Sequence, residues 1–158
     1  MANFFQRLFS GSFPKISWGP RMESITYQTE HNFLEISSTF MNGQRIYTES
    51  MQNWSDGKLI EQADRKNIFR NVILFLNKKN DPPVVVINTD YDKAFWESCC
   101  KENEGSIKGI EYTSKKEKEQ FRYNSMLNTI QHNGTIMIEG RTIKTEAELN
   151  EYWENRGK

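Results

Sequence analysis

The pair Asn42-Gly43 sits between two stretches of alternating apolar and polar residues, Phe33–Met41 and Gln44–Thr48. A two-residue type I′ turn needs positive φ at both central positions, and Asn followed by Gly accepts that conformation at little cost. The pattern predicts a two-residue hairpin turn and commits the first third of the chain to antiparallel β structure. Upstream, Ile25 and Tyr27 alternate with polar neighbours and Glu30-His31-Asn32 can reverse the chain, so residues 24–48 read as a three-stranded meander.

A meander with one apolar face needs a cover. Ile68, Phe69, Val72, Ile73, Phe75 and Leu76 recur at three- and four-residue spacing, which predicts a helix from just after Ile60 to about Lys79, stopped by Pro82-Pro83. Val84–Ile87 is a continuous β-branched run, suited to a central strand buried on both faces. Asp90 or Asp92 can cap the next helix, which carries Phe95, Trp96, Cys99 and Cys100 and reaches a left-handed cap at Gly105. Ile107–Tyr112 follows as a short strand.

Ser114 and Glu117 form a capping box opening a helix with Phe121, Met126, Leu127 and Ile130, closed at Asn133-Gly134. Thr135–Glu139 is a strand, Gly140 a turn, and Thr145 with Glu148 a second capping box before a last helix bearing Leu149, Tyr152 and Trp153. The class is α+β: a three-stranded antiparallel meander covered by a helix, then an alternating β-α-β-α-β-α half with a mixed sheet. Residues 1–158 read as one domain, with residues 21–80 and 82–158 as sub-lobes either side of the Asn77–Pro83 loop. Phe4, Phe5, Leu8 and Phe9 line one face of a short N-terminal helical arm, read as packed on the chain's own core, with an exposed membrane or partner anchor as the alternative.

Twenty-one basic and twenty-one acidic residues cancel, which removes the electrostatic footprint of a general nucleic-acid binder. Aromatic residues make up 13% of the chain against 36% hydrophobic overall, so the core must draw on large rings. The only two cysteines, Cys99 and Cys100, are adjacent and point about 100° apart on a helix, which disfavours a mutual disulfide and indicates buried thiols in a reducing compartment. No transmembrane-length apolar run is present, and the reading is a cytoplasmic protein.

Those cysteines and the two histidines, His31 and His132, have no zinc-ligand spacing. His31 falls in a turn and His132 at a helix end that favours positive charge, so both read as solvated or capping groups. No nucleophile elbow, phosphate-binding glycine loop or dinucleotide fingerprint occurs. The best enzymatic alternative uses Asp90, Asp92 and Glu139. If their strands were parallel neighbours, three carboxylates could converge at one sheet edge and hold Mg²⁺ for phosphodiester hydrolysis. Helix capping by the aspartates and a turn position for Glu139 compete with that reading, which leaves no catalytic residue, metal or cofactor assigned. The span Asp90–Glu104 carries five acids against Lys93 and Lys101, a concentrated negative stretch in a neutral chain, and Asp92, Glu97 and Glu102 within it are the candidate partner-binding residues.

The series Ile25, Ile36, Ile46-Tyr47-Thr48-Glu49-Ser50-Met51 and Trp54, followed by Ile60, Arg65, Ile68 and Val72, resembles a strand-strand-strand, tryptophan and helix pattern. It is that of small bacterial immunity proteins acting against polymorphic toxins, and the likeness spans residues 23–88. The resemblance implies a non-enzymatic inhibitor that binds a cognate toxin, often a nuclease, and blocks its active site or substrate groove without itself contacting nucleic acid. The metal-dependent hydrolase and a non-catalytic regulatory interaction domain are the competing classes.

Overall fold

The computed structural model describes residues 13–40, 42–78 and 81–157. They divide into two compact units, the first running to Thr113 and the second starting at Ser114. The sequence reading of a helical arm at residues 3–9 lies outside the described residues. None of the described helices is long and apolar enough to cross a membrane.

Unit one is built on a mixed six-stranded sheet in sequential order. Its strands are β1 (Lys15–Trp18), β2 (Ser24–Gln28), β3 (Phe33–Thr39), β4 (Arg45–Tyr47), β5 (Val84–Asn88) and β6 (Gly109–Thr113). The first four pair antiparallel, and β4–β5 and β5–β6 pair parallel. The parallel pairs require crossovers, supplied by helix α1 (Gln62–Asn77) and helix α2 (Lys93–Glu102). The predicted three-stranded meander lies within this sheet as β2–β3–β4, but β1 extends the antiparallel part to four strands; the predicted covering helix is α1.

Period-two alternation decides which residues meet the helices. Ile25, Tyr27, Leu34, Ile36 and Ile46 point to the helix side of the sheet and pack with Ile68, Phe69, Val72, Ile73 and Leu76 of α1 and with Trp96, Cys99 and Cys100 of α2 in one cluster. Thr26, Glu35, Ser37 and Arg45 alternate with them and are only partly buried or exposed. Strand β5 is buried from Val85 to Asn88, as its β-branched run predicts for a strand flanked on both edges.

Three local expectations need correction. Asn42 and Gly43 do take positive φ, at 58° and 104°, but β3 and β4 pair as Ser38↔Ile46 and Thr39↔Arg45. The connection is therefore longer than two residues. A two-residue turn centred on Asn42-Gly43 would pair Met41 with Gln44 and bring Ile46 opposite Thr39, on the open face. Burial of Ile46 selects the other register. Gly105 lies in a short 3₁₀ turn after α2, and the cap position belongs to Asn103, whose side chain donates to the Cys99 carbonyl at 2.8 Å. The alternating second half does not form one mixed sheet, because β5 and β6 extend the meander's sheet through β4 and the later strand segment, residues 136–138, pairs in a separate two-stranded sheet. The same β4–β5 pairing joins residues on either side of the Asn77–Pro83 stretch, so no boundary between units falls there.

Unit two comprises α3 (Lys115–Asn133), a hairpin of β7 (Ile136–Ile138) and β8 (Arg141–Ile143), and α4 (Glu146–Asn155). Both predicted capping boxes are present: Ser114 Oγ accepts from Glu117 N at 3.1 Å, and Thr145 Oγ1 from Glu148 N at 3.2 Å. Gly134 ends α3 at φ 78°, the left-handed conformation that favours glycine there. Its core is Ile130, Ile143 and Leu149, with Tyr123, Met126, Leu127 and Tyr152 packed around them.

Candidate functional site

The acidic segment singled out in the sequence is helix α2 with the turn before it. Its three candidate acids stand five residues apart, which spreads them around the helix instead of gathering them on one face. Asp92 precedes α2 in the left-handed conformation at φ 46°, and its side chain makes no cap bond. Instead its Oδ2 accepts from Arg65 Nη1 at 2.6 Å. Arg65 is buried on α1, its guanidinium lies 5.2 Å from the Phe95 ring centroid, and its Nε has no hydrogen-bond partner among the described residues. Glu102 Oε1 pairs with Lys66 Nζ at 2.8 Å, holding the Lys66 pKa above its ordinary value. Asp92 and Glu102 thus fasten α2 to α1. Arg65 and Lys66 bring two positive charges to the acidic segment and cancel much of its field.

Glu97 faces the other way. Its Oε1 accepts from the Tyr112 hydroxyl at 2.8 Å and lies 3.7 Å from Lys93 Nζ. That carboxylate raises the Tyr112 pKa. Lys93 Nζ sits 5.4 Å from the Tyr112 ring centroid. Tyr91, in the turn that leaves β5, and Tyr112, near the end of β6, are each about half exposed. The Thr89 amide donates to the Thr113 carbonyl at 2.8 Å and ties these two segments together at the C-terminal ends of the parallel strands. The outcome is a tyrosine-bearing surface with Glu97 and Lys93 between α2 and β6.

The strand pairing that the hydrolase constellation required is not the one observed. Glu139 belongs to the turn of the β7–β8 hairpin, at φ 49°, and β7 pairs only with β8, outside the six-stranded sheet. The convergence of Asp90, Asp92 and Glu139 required parallel neighbours at one sheet edge. At the end of β5, Asn88 is buried. Its Nδ2 donates to Glu49 at 2.7 Å while its Oδ1 accepts from the Asp90 amide at 3.0 Å, so it organises the turn into α2. Among the described residues no group of three or more His, Cys, Asp or Glu side chains is arranged to hold a metal ion.

Cys99 and Cys100 are unpaired and buried, as read from the sequence. Burial pushes the Cys100 thiol up to about 12 and the Cys99 thiol in the same direction, so both are neutral core groups near pH 7. His132 Nδ1 lies 2.8 Å from the Asn128 carbonyl one turn back on α3, and His31 sits on the surface 3.9 Å from Glu30.

Sequence reasoning missed a second feature of unit one. Near the C-terminal end of α1, Trp18, Phe40 and Phe75 line a cleft of about 210 Å³ that Lys78 and Asp81 also border. The Trp18 ring centroid lies 5.4 Å from that of Phe40 and 5.7 Å from that of Phe75. Gln44 lines the cleft and is only 2% exposed, yet neither its Oε1 nor its Nε2 has a hydrogen-bond partner among the described residues. Its position could have been read from the alternation, since residue 44 shares a face with Ile46.

Compared with protein-family models, curated proteins and solved structures, the chain matches none of them.

Proposed function

We propose that the chain is a non-catalytic binding protein that neutralises a cognate bacterial toxin by stoichiometric contact, as immunity proteins do. The contact lies on the α2–β6 surface of unit one. The observation that supports this reading is the pair of half-exposed tyrosines, Tyr91 and Tyr112, on adjoining segments. Tyrosine is favoured as an interface anchor because it offers large apolar area and a polar tip while losing little conformational freedom. Of the three acids assigned from the sequence, Glu97 lies at this contact, while Asp92 and Glu102 keep α2 in position for it.

Binding, in this reading, leaves the partner blocked and the chain unchanged. The test has two stages: capture of the partner from extracts of the native host by the tagged protein, then titration of the purified partner's toxic activity. The reading expects full inhibition at one equivalent, unaffected by EDTA, with Tyr91→Ala and Tyr112→Ala each weakening the complex about tenfold or more. A partner that binds and stays fully active would instead make the chain a regulatory interaction domain. Turnover of nucleic acid by the purified chain would overturn the non-enzymatic reading.

A further inference from the structure

We propose that the cleft between Trp18, Phe40 and Phe75 is a binding site for a small planar aromatic molecule whose ring carries a lactam edge, an N–H beside a C=O. The proposal rests on the conjunction of three aromatic walls with one buried, unsatisfied amide, and is independent of the tyrosine surface.

Aromatic rings 5.4 and 5.7 Å apart by centroid leave their remaining faces and edges turned to the cleft, where a flat ring gains offset-stacked or edge-on contact. A volume of about 210 Å³ exceeds the ~150 Å³ of an apolar cavity that admits benzene, which points to a two-ring molecule. Apolar walls alone would not choose between such molecules. Gln44 makes the choice.

A register position facing the core is normally filled by an apolar side chain, and a buried polar group is normally paired. Gln44 departs from both rules. Its backbone is fixed, because its carbonyl accepts from the Val84 amide at 2.8 Å, which anchors the side chain beside β5. The primary amide presents one acceptor and one donor side by side, and both are unmet among the described residues. A lactam edge offers the complementary pair, so two antiparallel hydrogen bonds form at once. No simple alcohol, amine or carboxylate satisfies both atoms with a single rigid edge. The two amide atoms are closed off from water although the cleft itself is open, so pairing requires the Gln44 side chain to turn toward the cleft, whose exposed lining residues are Met22, Phe40, Lys78 and Asp81.

The probe is 2-quinolone, with naphthalene as the ring of the same shape without the polar edge, titrated against the full chain labelled with ¹⁵N. The signals followed are the Gln44 side-chain NH₂ and the Trp18 indole N–H. The proposal expects saturable shifts of both signals with 2-quinolone, and about tenfold weaker binding of naphthalene, as expected for hydrogen bonds lost in a buried site. In Gln44→Leu that preference disappears while naphthalene still binds. Gln44→Met serves the same comparison should the branched side chain disturb the fold. Absence of saturable binding by either probe overturns the proposal, as would happen if the cleft takes only a side chain of a bound protein. Equal affinity for the two probes in the native chain overturns it, as does a 2-quinolone preference that survives loss of the amide.

Discussion

Unit one and unit two use the same local devices and differ in how much they enclose. Unit one places a sheet against two helices and fully buries Phe69, Trp96 and a run of isoleucines in one cluster. Unit two has better-formed helix caps than unit one, yet its buried core is Ile130, Ile143 and Leu149. Caps fix where a helix starts and contribute about 1 kcal/mol each, whereas a buried large side chain contributes about 1.5–3 kcal/mol. Local definition and tertiary stability are therefore separable in this chain. The Tyr91–Tyr112 surface proposed for a partner and the aromatic cleft both lie on the better-buried unit, where a rigid frame can hold them.

The sharpest way to break that comparison is to empty each core. Trp96→Ala removes a ring packed 5.9 Å from Phe69 and 4.9 Å from Phe95, and should cost about 3–5 kcal/mol in urea unfolding followed by circular dichroism. Leu149→Ala, although also fully buried, should abolish protection of α3 and α4 while leaving the unfolding midpoint of unit one unchanged. A shared loss of both units in either variant would show that the two cores unfold as one.

A smaller effect is expected from Asp92→Ala. It leaves the buried Arg65 guanidinium without its 2.6 Å partner, but the Asp92 side chain is 45% exposed and water can reach that end of the pair. The cost should be about 1–2 kcal/mol, below that of breaking a fully buried pair. This result also bears on the surface proposed for a partner. Reversing Asp92 to Lys would confuse lost binding with repulsion of Arg65, so the tyrosine variants are the cleaner probes.

The smallest effect near neutrality comes from the thiols and grows only in alkali. Burial raises the Cys100 pKa from 9.0 to about 12, so its neutral form belongs to the folded state. Its contribution is fully present below pH 9, where the unfolded thiol is also protonated, and declines as pH rises from 9 toward 12. Cys100→Ala should flatten the alkaline limb of the stability curve, measured by thermal melts between pH 7 and 11 at fixed ionic strength. An unchanged limb would mean that Cys100 is not shielded as its burial indicates.

What the sequence disclosed follows the same division between local and distant. Capping residues, the helical spacing of α1 and the β-branched run of β5 act within a few residues, and each placed its element. Strand β1 was missed because four residues between Pro14 and Gly19 contribute only Ile16 and Trp18 to the core side. Strand β8 was missed for a similar reason, since Arg141–Ile143 buries a single side chain. The α2 acids were visible as charges, but their partners Arg65 and Lys66 lie on another helix and became neighbours only through packing. Gln44 sat in plain alternation with Ile46, and its polarity disguised a core-facing position.

The most direct test of the central claim, that unit one is the rigid frame beneath both proposed binding features, is native-state hydrogen exchange resolved by residue. Amides of α1 and β5 should be the slowest in the chain and should exchange only through global unfolding. Those of α3, α4 and the β7–β8 hairpin should exchange faster, through an opening that leaves unit one protected. Equal protection of the two units, or faster exchange in α1 and β5 than in α3, would contradict the account.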